Sequence, residues 1–395
     1  MIKLKARFRV VTPLFMSGSD KFRAEFRVPS IKGILRFWHR ALALGRLNSI
    51  NKVRDEESRI FGSTEAGFGQ ARVHLRPIIP ENVVQYSDPI LKYADGEPVG
   101  PGVRYLGYGI VEAAPSRKRN TKEGQLLCSC LKYPFDGTLS ILIKNGTARD
   151  DIKNLTAALI AMSFFGGLGS RSRKGYGSFN LTELKLGDDI LFKMPKDVEE
   201  LKLGIGSLFK DYGIKAYPNL PPYTAYSKFT RIVIAEKGVD PLQLLNSIGE
   251  AMQMYRSWGR NGKVNGKTAE RNFRFDHDLA LEASRTNIKD HPRRIVFGLP
   301  HNYYFSSHGE KVDVKPAKHE RRASPLFIHI QELTNGQYAA VTTIMPSEFL
   351  PAGENIKVND SFVPQNADFD VIQEFLDGKD GSGAPRFPNA VPVII

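Results

Sequence analysis

A glycine-rich, basic segment between Phe164 and Phe179 carries residue types suited to binding an anion, and it reads FFGGLGSRSRKGYGSF. The candidate binding residues in this glycine loop are Gly167, Gly169, Gly175, Gly177, Arg171, Arg173, Lys174 and Tyr176. Glycine permits positive φ and close approach of another backbone, the cations can contact phosphates, and the tyrosine can stack on a base. The alternative is a structural turn whose charges are only solvated.

Two common nucleotide-binding loops are excluded by the order of residues. A Walker loop requires Gly-Lys-Ser/Thr between a strand and a helix, whereas here Lys174 precedes Gly175. The predicted elements also run from helix to strand, which is the wrong polarity for a dinucleotide fingerprint. The glycine loop therefore needs another explanation.

A predicted helix in PSIKGILRFWHRALALG offers a second basic surface, with Ser30 as the predicted N-cap and Gly45 as the end. Helical spacing places Trp38 on an apolar stripe, which favours core packing. The opposite stripe comprises Lys32, Arg36, His39 and Arg40. We expect this basic stripe to bind phosphates without contributing to the stability of the fold.

Further basic residues occur in predicted loops of the second half of the chain. The candidates for RNA contact are Arg256, Arg260, Lys263, Arg294, Arg321 and Arg322. Each one alone is typical of a solvated surface. Together with a net charge of +14 over 395 residues they favour a polyanionic partner, with RNA or DNA first.

The elements that must position these residues have the order β-α-β-β-α-β in the first half of the chain. A strand is predicted from Lys3 to Thr12, and further strands are predicted in GVRYLGYGIVEA and GQLLCSCL. The helix ARDDIKNLTAALIAMSFF precedes the glycine loop, and the strand GSFNLTELKL follows it. This order is typical of a ferredoxin-like fold, in which both helices cover one sheet face. The basic stripe and the glycine loop are therefore expected to border one groove.

The arrangement Gly-hydrophobic-Gly, five residues, Gly-hydrophobic-Gly near the end of such a domain resembles the signature of the RAMP superfamily, the repeat-associated RNA-binding proteins of CRISPR systems. The segments TPLFMSG, RVPSIKGILRFWHRAL and IFGS…GFGQARV are similar to a RAMP subunit of the type III-B (Cmr) effector. The resemblance implies an α+β fold with two tandem ferredoxin-like (RRM-like) domains, which we place at residues 1–190 and 191–395. It also implies a non-catalytic subunit that contacts guide RNA and target single-stranded RNA beside other RAMP subunits, without a cofactor.

The alternative function is a metal-independent RNA endonuclease that processes guide precursors. In that case His39 would act as general base, with Tyr176 or Lys174 as helpers, and the histidine would have to reach a 2′-OH. A metal-dependent nuclease is less well supported, because Asp276 and Asp278 lack a partner cluster and instead favour capping the following helix.

The composition indicates the cellular compartment of the protein. The start of the chain has no apolar segment of signal-peptide type, and no window approaches the roughly 20 apolar residues of a membrane span. The two cysteines, Cys128 and Cys130, lack the further ligands of a zinc site. We therefore expect a cytoplasmic protein with buried free thiols.

Overall fold

A computed structural model describes residues 1–81, 83, 85–305 and 309–394, and for residue 260 it describes the backbone alone. The elements up to residue 211 are β1 (Ile2–Val10), α1 (Val28–Leu47), α2 (Ile50–Phe61), β2 (Val73–Ile78), α3 (Pro101–Leu106), β3 (Phe135–Ile143), α4 (Arg149–Phe165), β4 (Phe179–Leu186), β5 (Asp189–Lys193) and α5 (Val198–Asp211).

The first sheet has the strand order β2-β3-β1-β4-β5, and all of its pairs are antiparallel. β1 alternates, so that Leu4, Ala6, Phe8 and Val10 face the core. Helices α1 and α4 pack together beside that core. The first four strands and the two helices have the ferredoxin-like order that the sequence predicts.

The remaining elements are β6 (Arg231–Gly238), α6 (Pro241–Arg256), β7 (Lys263–Val264), β8 (Lys267–Thr268), α7 (Arg274–Ala283), β9 (His301–Phe305), β10 (Glu310–Pro316), β11 (Leu326–Glu332), β12 (Tyr338–Ile344), β13 (Ile356–Val358), β14 (Ser361–Val363), α8 (Asp370–Asp377) and β15 (Val391–Val393), with short 3-10 helices at Arg260–Gly262 and Arg293–Phe297. The sheet β11-β12-β6-β15, with α6 and α8, repeats the ferredoxin-like order. The prediction of two tandem ferredoxin-like domains is confirmed.

The second domain carries large insertions between its ferredoxin-like elements. Between α6 and β11 lie the hairpin β7-β8, α7 and the strands β9 and β10, and between β12 and α8 lie β13 and β14. The four strands β14-β13-β10-β9 form a separate antiparallel sheet. The insertions therefore build a third layer of their own.

The two domains share their cores. On β6, Ile232 and Ile234 pack with the first-domain core, whereas Val233 and Ala235 face the opposite side, where α6 packs. Helix α4 of the first domain contacts β11 and β12, so the second sheet is covered on both faces. The proposed division at residue 190 falls within β5, and the first sheet continues to Lys193.

Several local predictions are wrong. Helix α1 begins at Val28, with Pro29 in its first turn, so Ser30 is not its N-cap. It continues past Gly45 to Leu47, and Asn48 is its C-cap in a left-handed conformation. The segment GVRYLGYGIVEA contains the short helix α3, and GQLLCSCL makes only isolated bridges. Both segments belong to an irregular insertion between β2 and β3. The thiols of Cys128 and Cys130 are free, as predicted.

Candidate nucleic-acid interface

The glycine loop is folded tightly because side chains would not fit at its glycines. Gly177 has φ +62°, and a Cβ there would lie 2.1 Å from the carbonyl oxygen of Leu168. Gly169 has φ +76°, and its Cβ would meet the Phe15 carbonyl oxygen at 2.3 Å. The glycines thus serve close packing of the loop against the chain that leaves β1.

The glycine loop also joins the two domains. The Ile328 amide donates to the Arg173 carbonyl at 3.0 Å, and Lys174 makes a parallel bridge with Ile328. Beyond the loop, the Ile330 amide donates to Ser178 Oγ at 3.0 Å. The loop therefore continues the second sheet along the edge of β11, and its cations lie at the domain interface.

At this interface the structure brings together predicted cations from both domains. We call this set the inter-domain cation cluster, and its members are Arg171, Arg173, Lys174, Arg256, Arg294, Arg321 and Arg322. Within the described ranges, no carboxylate oxygen lies within 4.0 Å of a nitrogen of any member's side chain. Cations that are gathered without counter-ions repel each other, so this arrangement favours an anionic ligand.

Lys174 is at the centre of the cluster. Its Nζ is buried and has no hydrogen-bond partner among the described residues, although the side chain as a whole keeps partial exposure. Burial, followed by repulsion from Arg256, Arg171 and Arg173, lowers the pKa of Lys174 to about 7. The ammonium therefore gains stability from any anion that reaches it.

The arginine guanidinium groups around Lys174 are packed against aromatic rings and backbone carbonyls. Arg173 donates to the Ser324 carbonyl at 2.6 Å and lies over the Phe327 ring at 4.5 Å. Burial, followed by repulsion from Arg322, lowers the pKa of Arg173 to about 10. Arg322 itself donates to Ser347 Oγ at 2.6 Å. The protein thus stabilises these charges with carbonyls, hydroxyls and aromatic rings.

Arg256 and Arg294 extend the cluster toward the insertions of the second domain. Arg294 donates to Tyr303 Oη at 2.7 Å and to the Arg256 carbonyl at 3.0 Å. Arg256 lies 4.5 Å from the Phe297 ring centroid and 6.0 Å from that of Tyr105. Burial, above all, lowers the pKa of Arg256.

The outer rim of the cluster is accessible. Arg171 and Arg321 are both exposed over the residue as a whole. Partial burial of the Arg171 guanidinium, followed by repulsion from Arg321, lowers the pKa of Arg171. The Arg171 guanidinium donates to the carbonyl of Tyr108, whose ring is also exposed. An exposed aromatic ring beside two exposed arginines is the combination that binds single-stranded nucleic acid.

The basic stripe of α1 does not form the expected open groove. Arg36 and Arg40 contact Glu57 Oε1 of α2 at 2.5 and 2.7 Å, and the Glu57 carboxylate is buried. Lys32 Nζ donates at 2.8 Å to the carbonyl of Phe61, the last residue of α2. These cations contact α2 and do not border an open groove, and we expect them to contribute to the packing of α2.

His39 is buried, in contrast to its predicted exposure on the stripe. Its Nε2 lies 3.0 Å from Glu56 Oε1, and its residue exposure is 2 %. Asn154 and Arg46 contact the same carboxylate oxygen. A histidine enclosed in this way cannot reach an RNA 2′-OH, so the structure contradicts its assignment as a general base.

Tyr176 is also buried, so the prediction that it stacks on a base is wrong. Its hydroxyl donates to the Val103 carbonyl at 2.7 Å, and its ring packs edge-on against Phe15. Burial raises the pKa of Tyr176. This residue attaches the glycine loop to α3.

The other candidates have separate environments. Lys263 is exposed on β7, and the side chain of Arg260 lies outside the described residues. Asp276 lies in the first turn of α7, where it accepts the Arg294 amide at 2.8 Å, while Phe273 occupies the N-cap. The prediction that Asp276 caps the helix is therefore wrong, and the carboxylate instead positions an arginine of the cluster.

Sequence reasoning missed the insertion residues that line the cluster, namely Tyr105, Tyr108, Phe297 and Tyr303. The one usable signal was Gly100-Pro101, since proline is favoured at the first position of a helix such as α3. Asn246 of α6 accepts the Gly102 amide at 2.9 Å and so fixes α3 in place. No local pattern in the sequence predicts that contact.

Within the described ranges, no group of three or more His, Cys, Asp or Glu side chains is arranged to hold a metal ion. Every helix in the part of the chain that the structure describes is too short or too polar to span a lipid bilayer.

Comparison with known proteins identifies related sequences and folds. Residues 7–180 match the model of the RAMP superfamily. The chain is 24% identical over 359 residues to the CRISPR system Cmr subunit Cmr1-1 of Pyrococcus furiosus, covering 87% of this chain and 88% of that protein.

Two solved structures have a similar fold over nearly the whole chain. The crystal structure of apo Cmr1 from Pyrococcus furiosus matches with a TM-score of 0.57 at 17% identity, covering 100% of this chain and 99% of the other. A chain in the cryo-EM structure of the type III-B Cmr-beta bound to cognate target RNA matches with a TM-score of 0.51 at 13% identity, covering 95% and 98%.

Proposed function

We propose that this chain, whose residues 7–180 match the model of the RAMP superfamily, is a non-catalytic, RNA-contacting RAMP subunit of a cytoplasmic type III-B CRISPR ribonucleoprotein. A relative that aligns with most of this chain is a Cmr subunit. A chain with a similar fold occurs in a type III-B Cmr-beta complex that is bound to cognate target RNA. In this proposal the chain assembles with other RAMP subunits and contacts guide RNA, target RNA or both.

The observation that carries the proposal is the inter-domain cation cluster. Arginine and lysine side chains from two domains converge there, and the described residues supply no paired carboxylate. The backbone of a single-stranded RNA provides the missing negative charge, and the exposed ring of Tyr108 offers a stacking surface at the rim.

The burial of His39 supports the non-catalytic part of the proposal, because the residue assigned as the base of the alternative endonuclease is enclosed beside Glu56. A cleavage assay checks this point. Purified protein is incubated with guide precursor and with generic RNA, and we expect full-length RNA to persist. A discrete product that is formed by wild type and lost in a His39→Ala variant would support the endonuclease instead.

Binding is tested by fluorescence anisotropy with a labelled single-stranded RNA at several salt concentrations. The variant Arg171→Gln/Arg321→Gln removes the exposed rim cations, and Lys52→Gln/Lys210→Gln, which alters two exposed lysines elsewhere, is the charge-matched control. Each lost phosphate contact reduces the salt slope by about 0.7 for single strands, so we expect a reduction of about 1.4 in the rim variant alone. Equal affinity and slope in the rim variant and wild type would contradict an RNA site at the domain interface.

A further inference from the structure

The separate sheet β14-β13-β10-β9 has one face toward the core and one face toward solvent. Val312 and Val314 of β10 and Tyr303 and Phe305 of β9 are buried. Because successive side chains of a strand point to opposite faces, the residues between them lie on the solvent side. Their burial pattern alternates in the same way.

We call this solvent-facing surface the outer face, and its residues are Asn302, Tyr304, Lys311, Asp313, Lys315, Lys357 and Phe362. The strand pairing places Tyr304 opposite Lys311. It also places Lys357 opposite both Lys315 and Phe362. Directly opposed residues share a face, so an aromatic ring stands beside a lysine at each end of the surface.

The two rings on the outer face are largely open to solvent. Tyr304 is 66 % exposed and Phe362 is 58 % exposed. Lys357 Nζ lies 5.4 Å from the Phe362 ring centroid, so the cation flanks the ring and leaves part of it open. Covering exposed aromatic area of this kind with a flat apolar partner is energetically favourable.

The charge on the outer face is positive, since three lysines stand against one aspartate. Among the described residues, none of Lys311, Lys315 and Lys357 has a carboxylate oxygen within 4.0 Å of its ammonium. Single-stranded nucleic acid is bound by cations that neutralise its phosphates and by aromatic rings that stack on its bases. The outer face offers both, because its lysines have no carboxylate partner in the described part of the chain and stand beside open rings. An apolar protein partner would instead have to bury these ammonium groups without compensation.

The dimensions of the outer face also suit a short stretch of nucleic acid. Tyr304 is level with Lys311 and Phe362 is level with Lys315, so the two rings are four residues, or about 13 Å, apart along the strands. They are also three strand spacings, or about 14 Å, apart across the sheet. The rings are therefore roughly 20 Å apart, with the three lysines on the surface between them. A strand of several nucleotides can contact both rings.

We propose that the outer face is a second binding surface for single-stranded RNA, in which Tyr304 and Phe362 stack on bases and the three lysines contact phosphates. It lies in the insertions of the second domain and uses none of the residues of the inter-domain cation cluster. The proposal goes beyond the function proposed above, since it adds an aromatic platform that extends the path of the RNA over this chain.

The experiment measures the affinity of full-length protein for a labelled single-stranded RNA by anisotropy. In the double variant Tyr304→Ala/Phe362→Ala we expect the affinity to fall at least about fivefold for each ring that stacks on a base. The control is Phe22→Ala, because Phe22 is similarly exposed at 61 % and also has a lysine, Lys21, over its ring at 4.9 Å. This control should bind like wild type.

A second variant tests the charges. Lys311→Ala/Lys315→Ala/Lys357→Ala should reduce the salt slope by about 2, from about 0.7 for each of three phosphate contacts. Chemical unfolding of each variant checks that the sheet is intact. Photocrosslinking of the RNA to wild-type protein, followed by peptide mapping, should identify Tyr304 or Phe362 as a crosslinked residue.

The outcomes separate the two RNA proposals. If the rim variant Arg171→Gln/Arg321→Gln loses affinity while the ring and lysine variants of the outer face bind like wild type and no crosslink maps to them, the second surface is refuted and the inter-domain site stands. If the outer-face variants alone lose affinity, the second surface stands and the inter-domain site fails. If they bind RNA normally but no longer join the effector complex, the outer face binds a protein partner, which also refutes the proposal.

Discussion

The variant Lys174→Met gives the most direct test of the inter-domain cation cluster. Methionine keeps most of the length of the lysine and removes its charge. In the native protein Nζ is buried without a partner, and burial and three neighbouring arginines lower the pKa of Lys174 from 10.5 to about 7. Holding a proton at this position therefore opposes folding.

The size and sign of the effect follow from proton linkage. Between pH 7 and 10.5 the unfolded chain binds more protons at this site than the folded chain does, so the free energy of unfolding rises with pH across that window. The full difference between 10.5 and about 7 corresponds to an upper limit of about 5 kcal/mol of unfolding free energy below pH 7. Because the lysine stem keeps partial exposure, solvent screening reduces this, and we expect roughly 2 kcal/mol.

The measurement is urea unfolding of wild type and Lys174→Met at about pH 6 and at about pH 9.5. We expect the methionine variant to be the more stable one at the lower pH and to lose most of that advantage at the higher pH. Lys263→Met, at an exposed lysine, is the control and should show no such dependence. A Lys174→Met variant that is less stable than wild type at both pH values, or equally shifted at both, would refute an uncompensated buried ammonium.

Two further variants test how the site is supported. Gly177→Ala should lower the free energy of unfolding by more than about 2 kcal/mol, because it adds a close contact with a carbonyl oxygen to the strain of positive φ. Gly146→Ala, at φ +76° with open space around it, should show only the strain, and equal losses in urea unfolding would argue against the close packing. Arg36→Ala/Arg40→Ala should cost about 1 to 3 kcal/mol by leaving the Glu57 carboxylate buried without its partners, and adding Glu57→Gln should restore part of that stability. No loss in the double variant would mean that these arginines do not support the fold.

Much of the fold follows from the sequence because its strands and helices have clear periods. The alternation of Leu4, Ala6, Phe8 and Val10 specifies a strand with one buried face, and the structure has β1 there. The irregular insertion between β2 and β3 has no such period. Its short apolar runs predict strands, whereas the structure has turns and single bridges there, because such runs are ambiguous without their tertiary partners.

The site was predicted in part. Spacing correctly groups the cations of α1 on one helix face, but it does not identify what packs against that face. The opposing carboxylates, Glu56 and Glu57, occur about 20 residues later in RDEESRIF, and an acidic pair next to an apolar helix stripe was the available signal. The arginines of the inter-domain cation cluster are up to 151 residues apart along the chain, from Arg171 to Arg322. Only the tertiary structure brings such distant segments together.

The pairing of the glycine loop with β11 also bears on how the protein avoids self-association. β11 is an edge strand of the second sheet, and all seven of its residues are buried. An edge strand of that length, if left open, offers its free amides and carbonyls to any other chain. The amide of Ile328 is already taken by the carbonyl of Arg173, and those of Ile330 and Glu332 by Ser178 and Asn180. The same segment that gathers the cations thus acts as a protective cover for the edge, which ties the solubility of the folded chain to the integrity of its ligand-binding loop.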